Sequence, residues 1–255
     1  MMRALDTPEG RSAVARAWAE RWLLAFDFDG TLAPFVRDPA TAMIPGPVYT
    51  DLAAIAAGRP VAVITGRSRT DILARLPSGI AHVVGNHGCE QPDGDPSVLF
   101  AAEAMAQRWF HQLADLISGS GLRLESKGPS LALHWRGCVD PLTAERVAAS
   151  LAMNLIPRPH LVEGDQVLNL LPPGLPDKGV ALLRLMALTG SAGAVFIGDD
   201  VTDATVFRLR DPGILGIEVG YKGLGADWHL PDTTAVGALV HELAVLAEND
   251  GYNHV

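Results

Sequence analysis

Short apolar runs that alternate with helical segments are the feature that most constrains the fold of this chain. The runs with strand-like composition are residues 23–28, 61–65, 82–84, 194–198 and 214–219. Several of them are separated by helical segments, such as residues 48–57 and 178–188. Strands that are apolar on both faces and joined by helices predict a parallel sheet covered on both sides. The predicted fold class is therefore α/β, with a Rossmann-like parallel sheet as its core.

The middle of the chain follows a different pattern. After a helical segment that starts near residue 101, the run LRLESK (122–127) places its leucines on one face and its charged residues on the other. Such alternation predicts an antiparallel sheet with one exposed polar face, and Gly164-Asp165 has the composition of a hairpin turn. We therefore expect an inserted α+β cap domain. The predicted domains are a core of residues 1–100 and 172–255 and a cap of residues 101–171.

Composition excludes several classes of function. A net charge of −9 argues against nucleic acid or anionic membrane as a partner. The 2 cysteines are too few for a disulfide framework. No apolar run reaches the length of a membrane span, and the first residues lack the apolar core of a secretory signal. The Gly-rich string VGYKGLG (219–225) lacks a full GxGxxG and does not predict a dinucleotide site. We expect a cytoplasmic monomer that acts on a small molecule.

Acidic residues collect where the predicted strands end. DFDG (27–30) closes the first run, and GDDVTD (198–203) follows the fourth. Because parallel strands end at the same edge of a sheet, these carboxylates are expected in the ligand crevice. Clustered carboxylates repel one another and indicate a bound cation, and an all-oxygen ligand set favours Mg²⁺. Taken alone, each segment has a simpler interpretation as a surface turn or a helix cap.

In combination, these segments resemble the haloacid-dehalogenase-like phosphatases, and among them the trehalose-6-phosphate phosphatases. The matching segments are DFDGTLAP (27–34), TGR (65–67), GNHG (85–88), Glu125-Ser-Lys127, His134-Trp-Arg136, DKG (177–179) and GDDVTD (198–203). The resemblance implies a phosphoric monoester hydrolase of trehalose biosynthesis, with an HAD-like core and a cap that closes over the site. Its expected reaction is the Mg²⁺-dependent hydrolysis of a sugar phosphate, foremost trehalose 6-phosphate, through an aspartyl-phosphate intermediate.

The resemblance also implies roles at the reacting centre. Asp27 would be the nucleophile, and Asp29 would be the general acid and then the general base. Asp29 must carry a proton to act first as an acid, and crowding by other carboxylates would favour that form. Mg²⁺ would be bound by the carboxylates of Asp27 and Asp199 and by the main-chain carbonyl of Asp29.

The remaining matching positions are expected to bind phosphate, to support the ion or to recognise the sugar. The phosphoryl oxygens would be held by Thr65, Lys178 and the loop residues Gly30, Thr31, Gly66 and Arg67, with the main-chain amides that follow Asp29. The waters of the ion and the Lys178 side chain would be oriented by Asp200 and Asp203. The sugar or the cap hinge would be contacted by Asn86, His87, Glu125, Lys127, His134, Arg136 and Asn169.

The sequence departs from the family pattern on the strand that returns to the core. Asn169 stands where the family usually has Glu, and Leu171 stands where it has Lys or Arg; Ala204 likewise replaces a usual Glu. The changes at Asn169 and Leu171 leave the phosphatase chemistry intact but leave the sugar open, so a phosphatase for another glycosyl or pseudosugar phosphate is also compatible with the sequence. The same motifs are compatible with a phosphohexose mutase and with a catalytically silent sugar-phosphate sensor.

Overall fold

A computed structural model describes residues 2–164 and 166–252 of the chain. The strands, in chain order, are β1 (Arg3–Ala4), β2 (Leu23–Phe26), β3 (Val61–Ile64), β4 (His82–Val84), β5 (Arg123–Ser126), β6 (Leu131–His134), β7 (His160–Gly164), β8 (Val167–Leu171), β9 (Ala194–Gly198), β10 (Ile214–Val219) and β11 (Trp228–Leu230). The α-helices are α1 (Pro8–Ala19), α2 (Gly46–Ala56), α3 (Arg69–Leu73), α4 (Pro96–Ala114), α5 (Pro141–Met153), α6 (Lys178–Thr189), α7 (Ala204–Phe207) and α8 (Thr233–Tyr252). Within this described part of the chain, no helix combines the length and apolarity that a membrane span requires.

The chain divides into two compact units. One comprises the N-terminal segment up to Gly88 and the segment from Asp177 onward, and the other comprises Cys89–Pro176. The sequence-based boundaries at 100/101 and 171/172 differ from these, and α4 already begins at Pro96. That the second unit acts as a specificity cap stays a prediction.

The first unit is built on a parallel sheet with the strand order β1-β11-β10-β9-β2-β3-β4. Every residue of β2, β3 and β9 is buried, which explains why these runs are apolar on both faces. Phe26 of β2 lies opposite Val63 on one side and Ile197 on the other. The residues that follow β2, β3 and β9 therefore come out at one edge of the sheet, as the predicted α/β fold requires.

Helices cover both faces of this sheet. Alternate residues of β2 belong to two apolar clusters: Phe26 packs in one with side chains of α2 and α8, and Ala25 packs in the other with side chains of α6. Trp18 and Trp22 are buried in the first cluster. The apolar stripe of Val14, Trp18 and Trp22 predicts a helix over residues 11–22. The observed α1 starts and ends earlier, because Thr7 caps its first turn and Arg21 adopts a φ of 56°.

The second unit contains an antiparallel sheet with the strand order β5-β6-β8-β7. Its apolar face packs in a core that includes Trp109 of α4 and Ala148 of α5. This arrangement confirms the predicted α+β character of the insert. The strands on both sides of the expected Gly164-Asp165 turn pair with each other, with Gly164 opposite Val167; Asp165 lies outside the described residues.

Candidate active site

Three buried aspartates meet at the carboxyl edge of the parallel sheet. Asp27 follows β2, Asp199 follows β9 and Asp203 precedes α7, and these residues are 4%, 2% and 0% exposed. One carboxylate oxygen from each lies within 4.8 Å of those of the other two. Ionised carboxylates at such distances repel one another, so the cluster needs positive charge beside it.

Lys178 supplies one of these charges. Its Nζ lies 3.0 Å from Asp27 Oδ1 and 2.7 Å from Asp203 Oδ1. The residue opens α6, where Asp177 caps the helix by accepting a hydrogen bond from the amide of Val180. Burial by itself lowers the pKa of Lys178, but the two carboxylates outweigh this effect and raise it above its usual value. Lys178 is therefore a permanent ammonium that holds the two carboxylates in place.

Asp203 is fully occupied by contacts within the protein. Its Oδ1 accepts from Lys178, and its Oδ2 accepts from the main-chain amide of Asp200 at 2.8 Å. Gly198 makes room for this carboxylate, since a β-carbon there would lie 2.4 Å from Asp203 Cγ. Asp200 is half-buried and accepts from Thr202 Oγ1 at 3.4 Å. The contact between Asp203 and Lys178 is the one that the sequence predicts; the role of Asp200 stays a prediction.

Burial raises the pKa of all three aspartates. It raises the pKa of Asp27 well above its usual range although Lys178 opposes this, and it raises the pKa of Asp203 against the same lysine. It raises the pKa of Asp199 to about 6, although Lys222 lowers it. Ionising the whole cluster at neutral pH thus requires further positive charge. Lys178 and the Asp200 amide take up the oxygens of Asp203, and the converging carboxylates of Asp27 and Asp199 offer the oxygen ligands that a hard divalent cation such as Mg²⁺ prefers.

The loop after β2 brings Gly30 and Thr31 against Asp199. Gly30 has a φ of 80°, and a β-carbon there would lie 2.6 Å from the Asp199 carboxylate, so glycine is required on both counts. Thr31 Oγ1 lies 3.5 Å from Asp199 Oδ1. The amides of Gly30 and Thr31 donate to the carbonyls of Ala33 and Phe28, at 2.8 and 3.3 Å. The loop itself thus uses these two amides, and the expected phosphate contact stays a prediction.

Arg67 holds the carboxylate of Asp29. Its Nε and Nη2 donate to the two Asp29 oxygens at 2.7 Å each, and its Nη1 donates to Asp71 at 2.7 Å. Burial opposes the charge of Arg67, but the two carboxylates prevail and raise its pKa. The structure thus corrects the expectation that carboxylates crowd Asp29, because both oxygens accept from a cation. It also shows that Arg67, expected at the phosphate, is engaged by two acidic side chains.

The loops after β3 and β4 are fastened to each other. The amide of His87 donates to the carbonyl of Thr65 at 2.9 Å, and the amide of Asn86 donates to the carbonyl of Arg67 at 2.8 Å. The His87 ring packs on Gly66, where a β-carbon would lie 2.4 Å from it. Asn86 and His87 are buried and have φ values of 45° and 57°. Residues other than glycine keep such values only where the surrounding structure constrains the backbone. Because Asn86 and His87 are buried and contact the loop of Thr65, they are well placed to position Thr65. Their predicted contact with the sugar stays a prediction.

Polar side chains share one face of the sheet in the second unit. Glu125 Oε2 lies 2.6 Å from His134 Nε2, and this contact lowers the pKa of Glu125. Lys127 Nζ donates to Asn169 Oδ1 at 3.1 Å. Glu125 pairs with Ala132, which in turn pairs with Asn169 across the next strand, so these positions face the same way. Four of the residues predicted to recognise the sugar are thus brought together.

Two of the departures from the family pattern, Asn169 and Leu171, lie on β8. Asn169 is 6% exposed and uses both ends of its amide, since its Nδ2 also donates to the carbonyl of Val162 at 3.3 Å. Leu171 is 5% exposed at the end of the strand. Arg136, another predicted sugar contact, follows β6 and is exposed. Asn169 therefore supports Lys127 and at the same time fastens the neighbouring strand.

Lys222 is a residue of the site that the sequence motifs do not predict. Its Nζ lies 3.1 Å from Asp199 Oδ2, so the cluster has a second ammonium. The Gly-rich string around Lys222 has the form of an incomplete dinucleotide motif and by itself indicates no such contact. Lys222 lies three residues after the end of β10, which pairs with β9, and this position is the signal that places it at this edge of the sheet.

Comparison with known proteins gives a consistent result. A profile of the family described as trehalose-phosphatase matches residues 25–219. Trehalose-6-phosphate phosphatase of Escherichia coli strain K12 is 30% identical over 213 residues, which cover 80% of this chain and 80% of the relative. A trehalose 6-phosphate phosphatase of Zea mays is 29% identical over 260 residues, which cover 91% and 72% of the two chains.

Solved structures show the same fold. A crystal structure described as a trehalose-6-phosphate phosphatase related protein has a TM-score of 0.71 at 23% identity and covers 89% of this chain and 99% of its own. The C-terminal domain of the trehalose-6-phosphate phosphatase of C. albicans has a TM-score of 0.72 at 19% identity, with coverages of 96% and 98%. At these identities the similarity concerns the fold alone.

Replacing Lys178 tests whether its ammonium stabilises the buried carboxylates. We expect Lys178→Met to lower the free energy of unfolding at pH 7, without added metal, by about 3–5 kcal/mol, because it leaves buried charge uncompensated. The loss should shrink as the pH falls, because Asp27 and Asp203 have raised pKa values and bind protons more readily in the folded state than in the unfolded chain. Urea unfolding followed by circular dichroism measures both effects.

Arg11→Met is the matched control. It also removes one cation, but the Arg11 side chain is 63% exposed and lies 3.8 Å from a similarly exposed Glu242. Such surface pairs contribute about 1 kcal/mol or less. Equal losses in the two variants, or a Lys178→Met loss that does not depend on pH, would contradict the assignment.

Proposed function

The chain belongs to the trehalose-phosphatase family of phosphoric monoester hydrolases, and we propose that it hydrolyses trehalose 6-phosphate through an aspartyl-phosphate formed on Asp27. The observation that carries the proposal is the Asp27 carboxylate, buried at the carboxyl edge of the sheet and held at one oxygen by Lys178. A fixed carboxylate beside two lysines and two further aspartates suits attack on a phosphate that a cation helps to neutralise.

In the first step, the second carboxylate oxygen of Asp27 attacks phosphorus. The bond between phosphorus and the sugar oxygen breaks, and the sugar oxygen takes a proton from Asp29, which releases trehalose. In the second step, Asp29 accepts a proton from water, whose oxygen attacks phosphorus and breaks its bond to Asp27. Phosphate leaves and both aspartates return to their starting forms. Lys178 keeps the Asp27 carboxylate in a single orientation throughout.

Asp29 can begin this cycle only after it binds a proton and gives up at least one of its two hydrogen bonds from Arg67. In the second step the same guanidinium stabilises the carboxylate that has lost its proton. Arg67 therefore orients the Asp29 carboxylate, and its own position is fixed by Asp71. This role replaces the direct phosphate contact that the sequence suggested.

The cation that we propose is Mg²⁺, which would be held by the carboxylates of Asp27 and Asp199 and the main-chain carbonyl of Asp29. When bound, it supplies positive charge that offsets repulsion between the anionic nucleophile and the anionic phosphate. The convergence of three buried carboxylates supports this. Asp203 accepts hydrogen bonds from Lys178 and from the amide of Asp200, and it therefore positions these groups and does not bind the ion directly.

The polar face of the second unit is proposed to select the sugar. Glu125, His134, Lys127 and Asn169 offer donors and acceptors on one sheet face, and such groups suit several sugar hydroxyls at once. A site built around hydroxyls discriminates strongly against analogues that lack them. Asn169 keeps an acceptor for Lys127 where the family usually has a carboxylate, which preserves the placement of that lysine.

The first test is phosphate release from a panel of sugar phosphates, with Mg²⁺ or with a chelator. We expect trehalose 6-phosphate to be the best substrate, with turnover lost on chelation and recovered with Mg²⁺. Asp27→Asn should lower the rate of phosphate release by a factor of about 10³ or more, because the substitution removes the nucleophile. Asp6→Asn, at an exposed position, is the control and should match the wild type. Turnover by Asp27→Asn at the wild-type rate would refute the mechanism.

A second test concerns the sugar-binding face. We expect Lys127→Ala to lower kcat/KM for trehalose 6-phosphate by about tenfold or more while changing that for an aryl phosphate by about twofold or less. Arg146→Ala, which removes an exposed cation from α5 of the same unit, serves as control and should leave both values unchanged. Equal losses on the two substrates in Lys127→Ala would mean that this face does not read the sugar.

A further inference from the structure

Lysine is rare in this chain, and its positions are informative. Of the 20 basic residues, only Lys127, Lys178 and Lys222 are lysines. The first lies on the polar face of the second unit, and the second holds Asp27 and Asp203. The third, Lys222, contacts Asp199. A chain that otherwise uses arginine for positive charge thus has a lysine at this carboxylate as well. Lysine differs from arginine in presenting a compact point charge in place of a planar fork that binds a carboxylate through two nitrogens.

Lys222 approaches the cluster from the solvent side. Its side chain is 48% exposed, whereas the Asp199 side chain that it contacts is 3% exposed. Its Nζ also lies 5.8 Å from the centre of the Phe35 ring, which is itself exposed. Lys178 is by contrast 1% exposed. The Lys178 ammonium therefore contacts the carboxylates from the protein interior, and the Lys222 ammonium contacts them from the solvent side. Of the two, only Lys222 can exchange its carboxylate contact for a contact with water.

The loop that carries Lys222 is fixed by a buried carboxylate. Glu218 is 0% exposed, and its two oxygens accept from the amides of Gly223 and Leu224 at 2.8 and 2.7 Å. Glu218 pairs with Gly198 in the sheet, directly before Asp199. Gly220 and Gly223, on either side of the lysine, have φ values of 89° and 74°. A buried acid and two left-handed glycines thus hold the turn in the shape that brings Lys222 to Asp199.

We propose that Lys222 is a positioning residue that neutralises Asp199 and sets the affinity of the site for its divalent cation. Its ammonium occupies Oδ2 of a carboxylate that the cation would use, so the cation must displace or tolerate a like charge a few ångströms away. The site is thereby kept ordered without the cation, and the cation stays exchangeable. This inference rests on the cation site of the proposed function.

The test is calorimetric titration of Mg²⁺ into the metal-free full-length protein. We expect Lys222→Met to bind Mg²⁺ about tenfold more tightly than the wild type, because one competing charge is removed. Lys222→Arg keeps the charge and should bind no more tightly than the wild type. Arg11→Met, which removes a surface cation, should match the wild type. Equal or weaker binding by Lys222→Met, or tighter binding by Lys222→Arg, would overturn the proposal.

Asp199→Asn separates this inference from the proposed function. If the wild type binds Mg²⁺ and Asp199→Asn does not, the cation site stands, and the Lys222 variants then decide the role of the lysine alone. If the wild type fails to bind Mg²⁺, or Asp199→Asn binds it equally well, the cation site itself is wrong and both proposals fall. Circular dichroism of each variant without metal verifies that it is folded; Lys222 is half-exposed, so its replacement leaves the core intact.

Discussion

The contact of one buried ammonium with two buried carboxylates is the interaction on which the rest of the site depends. Lys178 meets Asp27 and Asp203 at hydrogen-bond distance while all three are withdrawn from water. Burying any of these charges without a partner would cost on the order of several kcal/mol in folding free energy. The sheet makes the contact available, because β2 and β9 end at the same edge and α6 begins beside them. Fold and chemistry are therefore linked through this triad.

The surrounding residues divide the acids of the site into two environments. Asp27, Asp199 and Asp203 share a buried cluster that raises their pKa values and favours a cation. Asp29, two residues from Asp27, is hydrogen-bonded to the guanidinium of Arg67. Two carboxylates so close in sequence thus have different neighbours, as the proposed roles of nucleophile and proton carrier require.

Much of this organisation could be predicted from the sequence, since it follows from local patterns. The runs at 82–84, 194–198 and 214–219 are strands over just those residues, because continuous apolar stretches between turn residues have few other solutions. The pairing of Arg67 with Asp29 and of Lys222 with Asp199 could not be predicted. Each joins side chains far apart in the chain, and which cation meets which carboxylate depends on loop geometry that no periodicity encodes. The apolar stripe places helix α1 too late, because a capping threonine sets its true start.

The central claim is that Asp27 carries the phosphoryl group between the two steps. The most direct measurement is rapid acid quenching of the enzyme during turnover of trehalose 6-phosphate with Mg²⁺, followed by peptide mass spectrometry. We expect a phosphoryl group on the peptide that contains Asp27, absent without substrate and absent in Asp27→Asn. A phosphoryl group on another residue, or rapid turnover with none trapped on the protein at any quench time, would contradict it.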